Sequence, residues 1–109
     1  MADALKVLGQ VDAGAGTLTT LYTVPGATSV SGSSLVVCNR NAVAVRFRAS
    51  IAVAGAADDP KQYIYYDVLV QANDTFVATI GLTLAATDVV RVLSDIGGVS
   101  FSTFGVEVT

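Results

Sequence analysis

The stretch AVAVRFRAS, residues 42–50, alternates between apolar and more polar side chains at almost every position. Alternation with a period of two is typical of a β-strand that buries one face. If the strand runs over residues 42–54, its inner face carries Val43, Val45, Phe47, Ile51 and Val53. Arg46 and Arg48 then lie side by side on the outer face. The stretch therefore predicts a half-buried strand with two neighbouring arginines exposed.

The same period continues along nearly the whole chain. Segments rich in Val, Ile, Thr, Tyr and Phe, separated by Gly, Asn, Asp and Pro turn signals, predict strands over about residues 4–11, 17–24, 28–39, 42–54, 61–70, 75–82, 88–94 and 98–108. Short strands at this spacing predict an all-β fold. We expect an eight-stranded antiparallel β-sandwich over residues 1–109 as a single domain, with a jelly roll as one form of it.

Two segments make more specific predictions. Asn39-Arg40-Asn41 stands between two alternating strands, and Asn tolerates the backbone conformation of tight hairpins, so we expect a hairpin there. In the last strand, Val99 and Phe101 fall on one face, whereas Phe104, Val106 and Val108 fall on the other. This switch predicts either a bulge near residues 103–105 or a strand buried on both sides.

The composition favours a surface that is covered by other molecules. Charged residues make up 14% of the chain, against about a quarter in a typical domain, and hydrophobic residues make up 52%. A small domain with so few charges covers its outside with Ala, Ser, Thr and Gly. We therefore expect copies of the chain, or other proteins, to cover part of it.

Several function classes are disfavoured by the residues that the chain lacks. The net charge of −3 and the absence of a basic run argue against nucleic-acid binding. No apolar run reaches the length of about 20 residues that spans a bilayer, so no membrane partner is expected. The chain has no histidine and one cysteine, Cys38. We therefore predict no catalytic residues, no cofactor and no zinc site. At Asp58-Asp59 and at Asn73-Asp74, solvated turn acids are favoured over a calcium site.

The candidate contact residues are Arg46, Arg48, Tyr63 and Tyr65. In QYIYYD, residues 62–67, alternation puts Tyr63 and Tyr65 on one face and Tyr66 on the other. A tyrosine pair on a sheet surface is typical of interface anchors or of sugar-stacking platforms. Tyrosines half-buried at the edge of a sandwich, with their hydroxyls in water, are the structural alternative. The arginines suit pairing with carboxylates of a neighbouring copy, such as Asp67 or Glu107. A solvated β-sheet face is the alternative for the arginines.

Four motifs carry a resemblance to a known group of proteins: LYTVP at 21–25, VVCNR at 36–40, QYIYYD at 62–67 and LAATDVV at 84–90. With these motifs the chain resembles a family of small virion structural proteins of tailed phages, from about Lys6 to the C-terminus. The resemblance implies a compact β-domain that assembles on a particle, and it supplies no active site.

The resemblance implies a non-enzymatic structural protein that forms a homo-oligomer. Its place would be capsid decoration or cement, or a collar, tail or fibre attachment. The expected partners are copies of the chain, with a trimer favoured, and other virion proteins. The protein would be made in the host cytoplasm and located in the virion. The alternative function is a glycan-binding module that attaches the particle to its host, with QYIYYD and the nearby Asp58-Asp59 as its binding residues.

Overall fold

The computed structural model describes residues 2–109 and consists almost entirely of β-strands. The strands are β1 Asp3–Ala13, β2 Thr19–Thr23, β3 Ser29–Asn39, β4 Val45–Ala52, β5 Tyr63–Val70, β6 Thr75–Leu84, β7 Val89–Ser94 and β8 Val99–Val108. Between β4 and β5 lie two short 3₁₀ segments, Val53–Gly55 and Pro60–Gln62. No helix within residues 2–109 is long and apolar enough to cross a membrane.

The strands form two four-stranded sheets in the orders β1-β8-β3-β6 and β2-β7-β4-β5. Neighbouring strands within each sheet are antiparallel. The two sheets pack face to face, so the prediction of an antiparallel β-sandwich is confirmed. The first strand pairs with the last, the second with the second-last, and so on inward: β1·β8, β2·β7, β3·β6 and β4·β5. This is the pairing of a single long hairpin that is folded into two sheets. The jelly roll itself stays a prediction, which this pairing order supports.

The core lies between the sheets and contains much of the predicted inner face of β4. Val45 and Phe47 are fully buried, and Ile51 packs against the core. The prediction was wrong for Val43 and Val53, whose exposed fractions are 58% and 69%. The sequence alternates over residues 42–54, but β4 spans only Val45–Ala52. Alternation therefore continues past the residues that the sheet buries.

The two sheets contact each other differently at the two edges of the sandwich. On one side β1 passes so close to β2 that a Cβ atom at Gly9 would lie 2.1 Å from the carbonyl oxygen of Leu21. Only glycine allows this approach. On the other side three aromatic rings, with centroids 5.2 to 5.9 Å apart, fill the space between the sheets: Phe47, Tyr65 and Phe76. Backbone contact and aromatic packing thus hold opposite sides of the sandwich.

Residues 39–41 form a crossing between the two sheets, so the hairpin predicted there was wrong. β3 and β4 belong to different sheets. Asn39 is buried, and its Oδ1 accepts a hydrogen bond from the backbone N–H of Asn41 at 2.9 Å. Its Nδ2 lies 2.9 to 3.2 Å from the carbonyl oxygens of Val43, Val70 and Gln71. A buried amide therefore ties the crossing to the β5–β6 turn.

β8 keeps an unbroken alternation, so the bulge predicted near residues 103–105 does not lie in β8 itself. The other prediction for this strand, burial on both sides, stays a prediction. The register shifts lie in its neighbours, between Val7 and Gly9 of β1 and between Gly32 and Ser34 of β3. Val99, Phe101 and Thr103 are buried on the inner face. The outer face carries Phe104, Val106 and Val108, each half-buried. The switch in the pattern therefore marks a change in which face is apolar, without an extra residue in β8.

We predict that Asn39→Ala destabilises the fold strongly. Removing the amide leaves buried backbone groups without partners, and each such group costs about 1–3 kcal/mol. Urea unfolding followed by circular dichroism should therefore show a loss of at least about 3 kcal/mol. Gln71→Ala is the control, because the exposed Gln71 contributes its backbone carbonyl to this contact. Equal stabilities for the two variants would contradict the role given to Asn39.

Candidate functional site

Two irregularities in the β4–β5 ladder decide where the tyrosines point. Register shifts separate Phe47 from Ala49 and Ala49 from Ser50 along β4, because β5 contains extra residues opposite them. Each extra residue changes the face to which the following side chains point. Asp67 occupies the first irregularity and has a φ of 54°, a left-handed conformation that Asp tolerates better than most residues.

The face assignment of the tyrosines from simple alternation was therefore wrong. Tyr63 and Tyr66 come together on the surface, with ring centroids 5.3 Å apart and an interplanar angle of 86°. Tyr65 packs between the sheets against Phe47 and Phe76. Tyr65 is thus part of the aromatic packing of the core, whereas Tyr66 is 59% exposed.

Asp67 accepts hydrogen bonds from both outer arginines of its own chain. Arg48 forms a two-pronged ion pair with Asp67, at 2.7 Å for Nε–Oδ1 and 3.3 Å for Nη2–Oδ2. Arg46 donates from Nη1 to the carbonyl oxygen of Asp67 at 3.0 Å. The hydrogen bond from Arg48 holds the pKa of the Asp67 carboxyl below its usual range. The predicted position of the arginines on the outer face is confirmed. The carboxylate partner of Arg48 lies in the same chain, and Arg46 binds the backbone carbonyl of the same residue.

Arg48 also covers an aromatic ring. Its Cζ lies 3.9 Å from the centroid of the Tyr66 ring, within the range of a cation–π contact. The hydrogen bonds of Arg48 to Asp67 use Nε and Nη2. Nη1 has no hydrogen-bond partner among residues 2–109. The guanidinium is therefore held in place and keeps one donor group for another molecule.

Beside this pair lies a cleft of about 470 Å³, lined by Arg48, Asp58, Pro60, Tyr63 and Tyr66. The Tyr63 hydroxyl donates a hydrogen bond to Oδ1 of Asp58 at 2.9 Å. Partial burial and this hydrogen bond raise the pKa of Tyr63. The cleft combines two aromatic rings at a right angle, a proline ring, one cation and one carboxylate.

The loop that forms one wall of the cleft is fixed by its own hydrogen bonds. Asp59 caps the 3₁₀ segment Pro60–Gln62 by accepting from the N–H of Lys61 at 3.1 Å. The buried Gln62 accepts from the N–H of Asp59 at 3.3 Å and donates to the carbonyl oxygen of Ala57 at 2.8 Å. The position of Asp58 is therefore defined before any ligand arrives.

A separate cluster of polar side chains lies at one end of the sandwich and consists of Glu107, Tyr22 and Lys6. Glu107 of β8 accepts hydrogen bonds from the Tyr22 hydroxyl and from Lys6 Nζ, the latter at 3.2 Å. These bonds, with that from Tyr22 first, hold the pKa of Glu107 below its usual range, and burial raises the pKa of Tyr22. Glu107, which the sequence suggests as a partner for a neighbouring copy, is therefore engaged within its own chain.

At this end the outer surface is apolar. Leu5 is paired with Val106 and Val7 with Phe104, and all four side chains point away from the other sheet. We call this surface the apolar strip; it consists of Leu5, Val7, Phe104, Val106 and Val108. The exposed fractions of Leu5 and Val7 are 87% and 46%. At this end of β1 and β8, apolar side chains therefore point outward and polar side chains point inward, the reverse of the arrangement in the rest of the sandwich.

The structure gives no cluster of ligands for a metal ion. Within residues 2–109, no three His, Cys, Asp or Glu side chains come close enough to hold one together. At the candidate calcium position, Asp58 accepts from Tyr63 and Asp59 accepts from the backbone of Lys61. These two carboxylates therefore organise the loop.

Comparison with known proteins shows the fold. No family model and no curated protein matches the chain. A chain in the structure of the infectious bursal disease virus Gx strain is similar over 97% of this chain, with a TM-score of 0.55 and 13% identity. A chain in the crystal structure of the T13 particle of the same virus is similar over 96%, with a TM-score of 0.53 and 12% identity. This chain spans 32% and 30% of the length of those two chains.

We predict that the charge of Asp67 stabilises the fold above about pH 4. Because its pKa is lowered in the folded state, its contribution is present above the unfolded pKa and is lost as the pH falls through the folded pKa. Asn also tolerates the left-handed conformation, so Asp67→Asn removes the charge with little change in backbone preference. The melting temperature of the variant should be lower than that of the wild type at pH 7, and the difference should disappear as the pH falls through the folded pKa of Asp67.

The control for this pH series is Asp3→Asn, which removes an exposed carboxylate at the start of β1. We expect it to change the melting temperature little at any pH in the series. A constant difference between Asp67→Asn and the wild type from pH 7 to acid would mean that the ion pair with Arg48 contributes nothing.

Proposed function

We propose that the protein is a non-enzymatic structural component of a virus particle and that it associates with copies of itself through the outer face of the β1-β8-β3-β6 sheet. The observation that carries this proposal is the apolar strip on that face. Large side chains that point outward in register on neighbouring strands form a contiguous apolar surface. Such a surface is typical of a protein interaction site.

The rest of the same face carries few charges. Its other outward side chains on β3, β6 and β8 are mainly Ser and Thr, together with Val36, Cys38 and Val77. Charged side chains occur at the two ends of β1, at Asp3 and Asp12, and Asp12 is paired with Arg40 at 2.7 Å. A second identical face would therefore bring few like charges together, and this favours a second copy as the occupant.

The size of the face also suits a second copy. Four strands about 4.8 Å apart and about ten residues long, at about 3.3 Å per residue, give a projected area of roughly 600 Å². A specific interface of standard size buries about 800 Å² on each partner. Contact between two such faces, with side chains interdigitating, comes close to this value.

The position in a particle rests on similarity. Two of the solved chains with this fold come from structures of infectious bursal disease virus, one of them from its T13 viral particle. The sequence motifs resemble tailed-phage virion proteins, and this resemblance supports capsid decoration or cement, or a collar, tail or fibre attachment. A weak contact that recurs on a symmetric particle gains strength from multivalency. The sequence resemblance favours a trimer, whereas contact between two identical faces closes at two copies. We therefore propose a dimer as the unit that the apolar strip builds, with the virion as its location.

The arginine surface predicted from the sequence is the competing interface. It consists of Arg46, Arg48 and Tyr63, and Tyr66 takes the place of Tyr65 in it because Tyr65 packs in the core. The intrachain hydrogen bonds of both arginines to Asp67 reduce their need for a partner carboxylate. We therefore propose that self-association uses the apolar strip, and we test the arginine surface as the alternative interface.

We predict that Leu5→Lys combined with Val7→Lys converts the oligomer to a monomer. The two lysines would place positive charges on the apolar strip of every copy, and like charges brought together at an interface repel. Both native side chains are exposed in the monomer, so the fold should persist. Light scattering across a size-exclusion peak gives the mass, and far-ultraviolet circular dichroism checks the fold.

The matched comparison is Arg46→Ala combined with Arg48→Ala. We expect this variant to keep the mass of the wild type. Dissociation of the arginine variant with retention of the oligomer in the lysine variant would move the interface to the arginine surface. A wild-type protein that is monomeric at micromolar concentration would overturn self-association and indicate a different protein as the occupant.

A further inference from the structure

We propose that the cleft between Tyr63, Tyr66 and the 57–62 loop binds a neutral pyranose sugar. This proposal goes beyond the structural role, because it gives the particle component a ligand of its own. A cleft of about 470 Å³ falls within the range of small-molecule sites. Its walls and its polar groups both match the chemistry of a sugar ring.

The apolar part of the cleft has the shape of a corner. The rings of Tyr63 and Tyr66 meet at 86°, and Pro60 lies on the same lining. A pyranose ring has C–H groups on its faces, which pack against aromatic and proline rings. Tyrosine suits this contact because it offers a large apolar surface with few rotatable bonds.

The polar part of the cleft offers one donor group and one acceptor. Arg48 has Nη1 available, and Asp58 has Oδ2 available beside the Oδ1 that binds Tyr63. A hydroxyl group both donates and accepts hydrogen bonds, so two neighbouring hydroxyls of a sugar can satisfy both groups. Hydrogen bonds that involve a charged partner are stronger than those between neutral groups.

The charges favour a neutral sugar over an acidic one. The positive charge of Arg48 is balanced by Asp67 at 2.7 Å. Asp58 adds a carboxylate to the lining of the cleft, where it would repel a carboxylate on the ligand. An acidic sugar would therefore find no unpaired positive charge in this cleft.

The site is largely formed in advance. Asp59 and Gln62 hold the loop, and Asp67 holds the guanidinium of Arg48 against Tyr66. A ligand would therefore restrict few additional side-chain rotations on binding, which lowers the entropic cost. The walls from β4 and β5 belong to the sheet opposite the one that carries the apolar strip. The cleft can thus stay open when the strip is covered.

The test is a titration followed by ¹H–¹⁵N correlation spectra of the intact protein. The probes are the methyl glycosides of glucose, galactose, mannose and N-acetylglucosamine, each up to about 50 mM, because a single shallow site is expected to bind in the millimolar range. We expect at least one probe to shift the amide signals of Tyr63, Tyr66 and the 57–62 loop in a saturable way. Absence of any saturable shift, or shifts confined to other regions, would overturn the proposal.

Variants define which groups bind. Tyr66→Ala and Asp58→Asn should each weaken the binding of the active probe by about tenfold, a change of about 1.4 kcal/mol. Ile64→Ala is the control, because Ile64 is exposed on the same strand but does not line the cleft. Unchanged affinity in both cleft variants would contradict the assignment even if a sugar binds.

Two further measurements test the preference for a neutral sugar and the independence of the cleft from self-association. Methyl glucuronoside should bind more weakly than methyl glucoside, and tighter binding of the acid would reject the neutral class. The variant Leu5→Lys combined with Val7→Lys should bind the sugar as the wild type does. Loss of binding in that variant would mean that the site depends on assembly, which contradicts a cleft formed within one chain.

Discussion

The buried side chain of Asn39 is the contact on which the arrangement of the two sheets depends. The chain leaves one sheet at this residue and enters the other at Val45. The amide donates hydrogen bonds to the carbonyl oxygen of Val43 in the crossing and to that of Val70 at the end of β5. Asn41 extends the network by donating to the carbonyl oxygen of Gly97 at 2.8 Å. Three connections at one end of the sandwich are therefore held by two asparagines, because buried backbone groups outside the ladders need side-chain partners.

With the sheets positioned in this way, a local irregularity creates the cleft. A regular β5 would place Tyr63 and Tyr65 on one face and leave Tyr66 on the other. The extra residues of β5 instead send Tyr65 into the core and bring Tyr66 beside Tyr63. Asp67 stabilises this arrangement from its left-handed position by binding Arg48. Bulges recur next to functional sites because they redirect side chains without disturbing the whole sheet.

The sequence predicts the positions of the strands well and their partners poorly. Period-two alternation marks each strand to within a few residues, since alternation directly reflects one buried face. It does not specify which strands join the same sheet, so residues 39–41 resemble a hairpin although they cross between sheets. It also does not reveal an extra residue inside a strand. The consecutive polar side chains of Tyr65, Tyr66 and Asp67 are the one local signal that the alternation in β5 fails.

At one end of the sandwich, β1 and β8 point their apolar side chains outward, and this feature of the fold favours assembly. Glu107 occupies an inward position and accepts hydrogen bonds from Lys6 and Tyr22, while the neighbouring Leu5 and Val106 point outward. For an isolated chain this order is unfavourable, because exposed apolar area costs about 25 cal/mol per Å² relative to burial. Covering the apolar strip with a second copy would remove that cost and leave the inner polar group undisturbed. Apolar side chains on the outside of β1 and β8 are therefore expected in a subunit of an assembly, whereas they would only destabilise a permanent monomer. The same division of surfaces leaves the opposite sheet, with the cleft, free to face outward.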